Sequence, residues 1–481
     1  MIRRHWPFAL VLAAGALLRL ACEIAYRPAL FYSDSWGYLA MAHGGGIVSF
    51  APLRPSGYPL ILKVLHFLPA ITVAQHLAGL AVATLAYATC SALGMRRWLA
   101  TLAGAFVALD AWLIALEQYV LAESFFALAL MLAVWATLVA ATRADASAPR
   151  GVRIRGSAGV ALGFAGLCLA AAALMRPVGL FAVPAWVIWM IWVRPGSRAV
   201  VAGLSCLVVP LLVYSLAHQS VTGSFGLTQA NGWFLYGRVG QIATCNGIDV
   251  ERAARKLCDR PPQAAHENQS WFMFNRRSPA RQAFGGISAD SGKQARSNRI
   301  LGKFARQVIL ERPGDYANLV AGDFFRYLRP GPRAAHREDQ TVEFPRSARI
   351  HFDDPTIRHR LYPNLTTHAS APAGALRAYG KVFHTSRVLV ALAILASLLA
   401  LILGRKSRDS RLSAIFLTLG MGVGLLLGAA LGAGFALRYL VPVVAQVAIA
   451  GTLSAESLAS ASKGWRMRHA SLPAAREADP S

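Results

Sequence analysis

The sequence is short of charge and shortest of acid: charged residues make up 15% of its 481 positions, and 23 Asp/Glu stand against 49 Lys/Arg. Soluble domains carry roughly 25% charged residues, so this scarcity excludes an ordinary water-soluble protein. Cysteine is scarce as well. Of the six, Cys22, Cys90, Cys168 and Cys206 lie in apolar runs and read as small buried hydrophobes, which leaves Cys245 and Cys258 as one candidate pair. Internal repeats and low-complexity tracts are missing, which weighs against a transporter built from repeated halves.

What is plentiful is apolar: 55% of the chain. A helix that crosses a bilayer takes ~20 mostly apolar residues. Ten stretches qualify, at 7–24, 72–93, 98–115, 120–141, 157–174, 178–193, 199–217, 386–404, 412–432 and 436–455. Short-loop cations (Arg3/Arg4, Arg96/Arg97, Arg143 to Arg155, Arg194/Arg198, Arg405 to Arg411) and the tail cations all fall on one side if there are ten spans. The expectation is a multi-pass protein of the cytoplasmic membrane with both termini cytoplasmic. Its fold class is all-α and polytopic, about ten transmembrane helices with one mixed, mostly helical exterior domain.

The first span follows Arg3 and Arg4 directly and needs no cleavage. Arg19 stands where a lipoprotein site near Cys22 would want an apolar residue. The net charge of +26 is assigned to loops that fix topology and touch anionic lipid, not to nucleic acid.

Four regions follow: a membrane module 1–217 of about seven spans, with its first exterior loop at 25–71; an extracytoplasmic domain 218–384; a membrane module 385–455 of about three spans; and a cytoplasmic tail 456–481. The domain 218–384 carries 24 Lys/Arg against 13 Asp/Glu, a basicity that the positive-inside rule does not explain. It suits an anionic partner such as lipid phosphate or an acidic glycan, or it is simply a solvated surface. Cys245 and Cys258, the only cysteines there, are expected to pair in an oxidising compartment. "LERPGDYANLVAGDFFRYLRPGPR" (310–333) reads as a helix opening at Pro313 and stopped by Pro330, its aromatics on the membrane surface or in a core. "RIHFDDP" offers His351, Asp353 and Asp354, the residue types of a divalent-cation site, or of an Asp-rich turn before Pro355. A divalent cation is the one cofactor these residues leave open.

Only six acids precede residue 218. Asp145 lies in an inner loop; Glu23, Asp34, Asp110, Glu117 and Glu123 cluster at the exterior ends of spans one, three and four. Charge at a membrane edge is costly and usually kept for function, so the set is expected to converge, although any single acid reads equally as a solvated helix end. Arg54, Arg176 and Arg438 sit at the same level, each near a proline or tyrosine. Guanidinium grips phosphate bidentately, so these three are candidate donor-phosphate ligands. In "FYSDSWGYLA" Asp34 is flanked by Phe31, Tyr32, Trp36 and Tyr38, which are expected to anchor the loop at the interface or to stack on sugar rings. Tyr58, Tyr439 and Glu117 complete the candidate substrate surface.

The motifs "YSDSWGYLAMA", "RPSGYPLILKVLH", "LEQYVLAESFF", "LMRPVGL" and "RYLVPVV", in that order and on one side, resemble the GT-C glycosyltransferase superfamily. Within it the chain is similar to bacterial protein O-mannosyltransferases and lipid A aminoarabinose transferases. The resemblance covers most of 1–217 and 385–455. It implies inverting transfer of a sugar from a polyprenyl phosphate to an extracytoplasmic glycan, lipid or protein. It places Asp34 in the active site, Glu123 as the acid opening the fourth span, and Arg176 and Arg438 near the donor phosphate. Many relatives carry two adjacent acids in the first loop. Here Ser35 follows Asp34, which weakens a two-carboxylate metal site at that point. Asp34 is the expected base and Glu123 its rival. The competing functions are a flippase of lipid-linked sugars, and a glycan polymerase or ligase using a sugar-diphosphate lipid.

Overall fold

The computed structural model describes residues 5–145, 154–245, 252–258, 267–330, 342–348, 354–404 and 410–470. In chain order come α1 (Trp6–Ala25), the short α2 (Ser33–Ala42) and α3 (Gly57–Val64), then α4 (Leu68–Ala92), α5 (Arg97–Ala108) and α6 (Ala111–Gln118). They are followed by α7 (Glu123–Asp145), α8 (Ile154–Met175), α9 (Val183–Val193) and α10 (Ser197–Thr222). The polar segment adds α11 (Asn231–Val239), α12 (Gln269–Phe274), α13 (Pro279–Phe284), α14 (Ser291–Glu311), α15 (Pro313–Arg326), α16 (Pro355–Leu361) and α17 (Pro372–Val382). Then α18 (Arg387–Gly404), α19 (Ser410–Gly432) and α20 (Val444–Ala470) return to the bundle. Two-residue strands β1 (Tyr26–Arg27) and β2 (His368–Ala369) pair antiparallel, tying the end of α1 to the segment before α17.

Seven helices among the described residues have the length and apolarity to cross a membrane: α1, α4, α8, α10, α18, α19 and Leu437–Ser460. Large apolar side chains such as Leu10, Leu17, Val209 and Leu395 stay exposed along them, as a lipid-facing surface requires. The protein is a multi-pass membrane protein. The expected ten spans are not all whole, however. The third is a pair, α5 and α6, bent by 41°, and the stretches Glu123–Leu138 and Pro177–Val193 are shorter apolar helices. The break in the third has a local cause. Asp110 adopts extended backbone and its Oδ1 accepts the Leu113 N–H, capping α6 as a new helix. The last helix runs on to Ala470, past the expected end at 455.

The polar segment divides. Its first part has its own core of Trp233, Tyr236, Phe272, Leu301, Phe304 and Val308 from α11, α12 and α14. Its later part, with Phe344, Leu376 and Tyr379, packs into the core of the membrane bundle. Arg238 of α11 fastens the first part down: fully buried, it donates to the Ala430 and Leu319 carbonyls (2.8 and 3.0 Å) and pairs with Asp323 at 2.7 Å. In α15, Val320 is buried and Phe324 packs on the bundle core, while Phe325 stays exposed, so the helix uses its aromatics both ways.

Cys245 and Cys258 are bridged, tying the short 3-10 helix Arg252–Cys258 to the segment that follows α11. Closing so short a loop stabilises a domain by ~3 kcal/mol at most. Non-reducing peptide mapping of protein from its native membrane is expected to recover the two cysteines as one linked pair; two free thiols would remove the bridge.

Candidate active site

Asp34 is placed by the start of a helix. Tyr32 is extended, and the Ser35 hydroxyl accepts the Tyr32 N–H at 2.9 Å, so α2 opens at Ser33. Asp34 then stands in the first turn, where the helix dipole favours a carboxylate. Arg54 Nη2 donates to its Oδ1 at 2.5 Å and Arg438 Nη1 to its Oδ2 at 3.0 Å. Arg54 lies directly against α2: a methyl group at Gly37 would meet its Nη1 at 2.7 Å. The Arg54 loop in turn abuts the end of α8, where a Cβ on Gly57 would strike the Leu174 carbonyl.

The other two arginines occupy breaks in apolar helices. Pro177 bars Arg176 from helical backbone, so α8 stops at Met175 and Arg176 is extended (φ −147°, ψ 119°). Arg438 sits in the 3-10 turn Leu437–Tyr439, between the end of α19 and Pro442. Arg176 pairs with Glu123, the first residue of α7. The Tyr439 ring lies 5.1 Å from the Arg176 guanidinium and 5.4 Å from that of Arg438. Tyr32 lies 5.2 Å from Arg438, and Tyr38 lies 5.1 Å from Arg54. Three guanidiniums against two carboxylates leave the cluster net positive, a place for an anion. Burial would raise the Asp34 pKa, but Arg54 and Arg438 outweigh it and hold the carboxyl well below the usual carboxylate range. Burial pushes the Tyr38 hydroxyl up to about 12, so it stays protonated.

The remaining candidates are distributed differently from the expectation. The aromatics beside Asp34 are 2–5% exposed, so they neither anchor the loop at a lipid interface nor offer a face to a sugar. Trp36 stacks on Phe31, and Tyr58 is wholly enclosed, donating to Gln75 Oε1 at 2.7 Å. Nor do the five acids meet at one point. Asp110 is spent on the cap and on the Thr385 hydroxyl, at 2.6 Å. Glu117 is buried behind the site, accepting from Arg19 Nε and Nη2 (both 2.8 Å) and facing His76 Nδ1 at 2.7 Å, with Glu23 near the far side of that ring. Glu117 and Glu123 both line one narrow crevice, with Ser124 and Val441.

Asp354 caps α16 by accepting the Ile357 N–H; His351 and Asp353 lie outside the described residues. Among the described residues no three His, Cys, Asp or Glu gather as a metal set. Both Asp34 oxygens are already committed to guanidinium, so the donors at this point do not fit a cation. Sequence reasoning missed Arg19, His76 and Gly37. A lone arginine inside an apolar span was a signal for the first; the other two carried none.

The class this architecture defines is a multi-pass, mostly helical membrane protein in which three arginines and two carboxylates meet. More narrowly, residues 70–221 match the family model for dolichyl-phosphate-mannose-protein mannosyltransferase, a stretch that holds Glu123 and Arg176. No curated protein matches the chain. Among solved structures, the Saccharomyces cerevisiae protein O-mannosyltransferase Pmt1–Pmt2 complex bound to its sugar donor is similar at 16% identity and TM-score 0.34, over 50% of this chain and 36% of that one. The Archaeoglobus fulgidus oligosaccharyltransferase AglB, with an inhibitory peptide and a dolichol-phosphate, is similar at 10% identity and TM-score 0.40, over 100% and 53%. ArnT from Cupriavidus metallidurans bound to undecaprenyl phosphate is similar at 14% identity and TM-score 0.35, over 96% and 80%. The chain thus spans about a third of the length of the yeast protein and about half that of the archaeal one.

Proposed function

We propose that the protein is an inverting glycosyltransferase that moves a sugar from a polyprenyl-phosphate donor to an acceptor at the outer face of the cytoplasmic membrane. The observation that carries this reading is the Asp34 carboxylate held between Arg54 and Arg438. The match over residues 70–221, to a family named for a dolichyl-phosphate sugar donor, supports the donor class.

Without donor, the carboxylates of Asp34 and Glu123 occupy the guanidiniums. A donor phosphate competes for them, since phosphate takes guanidinium bidentately. Arg438 Nε, buried with no hydrogen-bond partner among the described residues, is a further donor for it. Arg54 and Arg438 turned toward phosphate release Asp34 as a base. The acceptor hydroxyl then attacks the anomeric carbon from the face opposite the phosphate, its proton passes to Asp34, and the bond from that carbon to the phosphate oxygen breaks. The leaving phosphate monoester carries more negative charge than the donor, so the arginines stabilise the transition state more than the ground state. Asp34 keeps 22% of its side chain exposed and Glu123 only 4%, so the acceptor reaches Asp34, and Glu123 serves to aim Arg176.

Purified protein supplied with a labelled polyprenyl-phosphate sugar and a crude envelope acceptor is expected to release free polyprenyl monophosphate. Release of a diphosphate lipid would instead identify a polymerase or ligase, and passage of the intact lipid-linked sugar across a bilayer would identify a flippase. Replacing Arg176 or Arg438 by Lys keeps the charge and loses the planar fork. Each is expected to cost about tenfold or more in kcat. Wild-type turnover in both variants would reduce them to topological anchors.

A further inference from the structure

One helix of the polar segment is built as a charged track. Along α14, every exposed position from 293 to 306 is a cation: Lys293, Arg296, Arg299, Lys303 and Arg306. The intervening residues Gln294, Ser297, Leu301, Phe304 and Ala305 are buried against α11 and the local core. Asp290 is used as the N-cap of this helix, and the next acid is Glu311 at its other end. The stripe therefore runs ~20 Å, at 1.5 Å per residue, along a helix that carries no acid of its own between its cations. The disulfide-held 3-10 helix packs beside α14 and adds the exposed Arg255 and Lys256. Like charges so closely spaced on one helix face repel one another.

The stripe is connected to the reaction centre. The Gln294 amide donates to the Gln229 carbonyl at 2.9 Å, and the Gln229 N–H donates to the Pro52 carbonyl at 3.0 Å, two residues before Arg54. Leu53 itself packs on the core that α14 helps to form. One end of the track thus abuts the loop that carries Arg54.

We infer that the α14 stripe binds an acidic polysaccharide and leads it to Asp34 as the acceptor. A soluble polyanion is favoured over a lipid surface because no exposed apolar side chain is interleaved with the five cations, whereas a helix lying in a bilayer interface presents both. The acceptor role rests on the glycosyltransferase reading; the binding surface does not.

The test uses full-length protein in nanodiscs of neutral lipid, with fluorescent alginate oligomers as the acidic probe and dextran as the neutral one. Wild type is expected to bind alginate in a salt-dependent manner and to ignore dextran. The variant with Lys293→Gln, Arg296→Gln, Arg299→Gln and Arg306→Gln changes only exposed side chains. It is expected to bind alginate about tenfold or more weakly, with a flatter dependence on salt. Equal alginate affinity in the two proteins overturns the inference. So does loss of binding to phosphatidylglycerol vesicles with alginate binding intact, which would assign the stripe to the membrane. Turnover of the polyprenyl-phosphate sugar is measured separately, so failure of the transferase reading leaves the alginate result standing on its own.

Discussion

Asp34→Asn is expected to lower the rate of sugar transfer by roughly 10²–10⁴-fold, the usual scale for losing a general base, while donor binding is kept or tightened. The second half of that expectation is the more specific. Asp34 is ion-paired to Arg54 and Arg438, and on the proposed mechanism it competes with the donor phosphate for them. An asparagine is nearly isosteric but neutral, so it competes less and leaves both guanidiniums readier for phosphate. The signature is therefore a fall in kcat with no rise in donor KM. Glu123→Gln differs: it frees Arg176 and misaims it, which raises KM and lowers kcat together. Near-wild-type kcat in Asp34→Asn beside a dead Glu123→Gln, at matched membrane abundance, would reverse the two roles.

The pH profile follows with a definite sign. In the donor-free protein the arginines hold the Asp34 carboxyl well below the usual carboxylate range. Once phosphate engages Arg54 and Arg438, that restraint weakens and the phosphate charge itself disfavours the carboxylate, so the pKa rises. The acid limb of kcat/KM reports the free protein and that of kcat reports the complex. The acid limb of kcat is expected at higher pH than that of kcat/KM; coincident limbs would show that donor binding does not free Asp34.

The bundle was legible in the sequence because a membrane demands long apolar runs, and the ten runs all became apolar helices. The arginines at the site were legible for the same reason, since a guanidinium at an apolar boundary stands out, and the proline after Arg176 marked the break that aims it. Their partners were less so. Asp34, Asp110, Glu117 and Glu123 share a residue class and a level in the membrane. Only three-dimensional packing separates a carboxylate clamped by two arginines from one spent on a helix cap. Aromatics near a boundary suggested a lipid interface, but here they lie beneath the guanidiniums, because cations placed over rings also satisfy their amphipathic character. The stripe on α14 was visible only as an excess of basic residues until the helix showed which side of it faces outward.

The largest stability effect is expected away from the site, at Arg19. This side chain is almost completely enclosed, and each of its contacts answers a need of the bundle. Its Nη1 donates to the Ala108 carbonyl at 2.7 Å, which the break between α5 and α6 leaves without an onward helical partner, and to the Gly15 carbonyl at 3.1 Å. Its Nε and Nη2 grip both oxygens of Glu117. The pair is thus a staple that lets a bent span exist within an apolar bundle. Removing one member of a buried ion pair strands the other charge, at a cost of about 3–5 kcal/mol, whereas removing both is often nearly neutral. Arg19→Leu is therefore expected to unfold at markedly lower temperature in detergent, because Glu117 is left facing only His76, and Glu117→Gln alone is expected to strand Arg19. The double variant Arg19→Leu/Glu117→Leu should recover most of the loss, though not all of it, since the Ala108 carbonyl stays orphaned. If each single variant melts within about a degree of wild type, or if the double variant is destabilised by the sum of the two, the charges are not coupled and the staple is not what holds the bend.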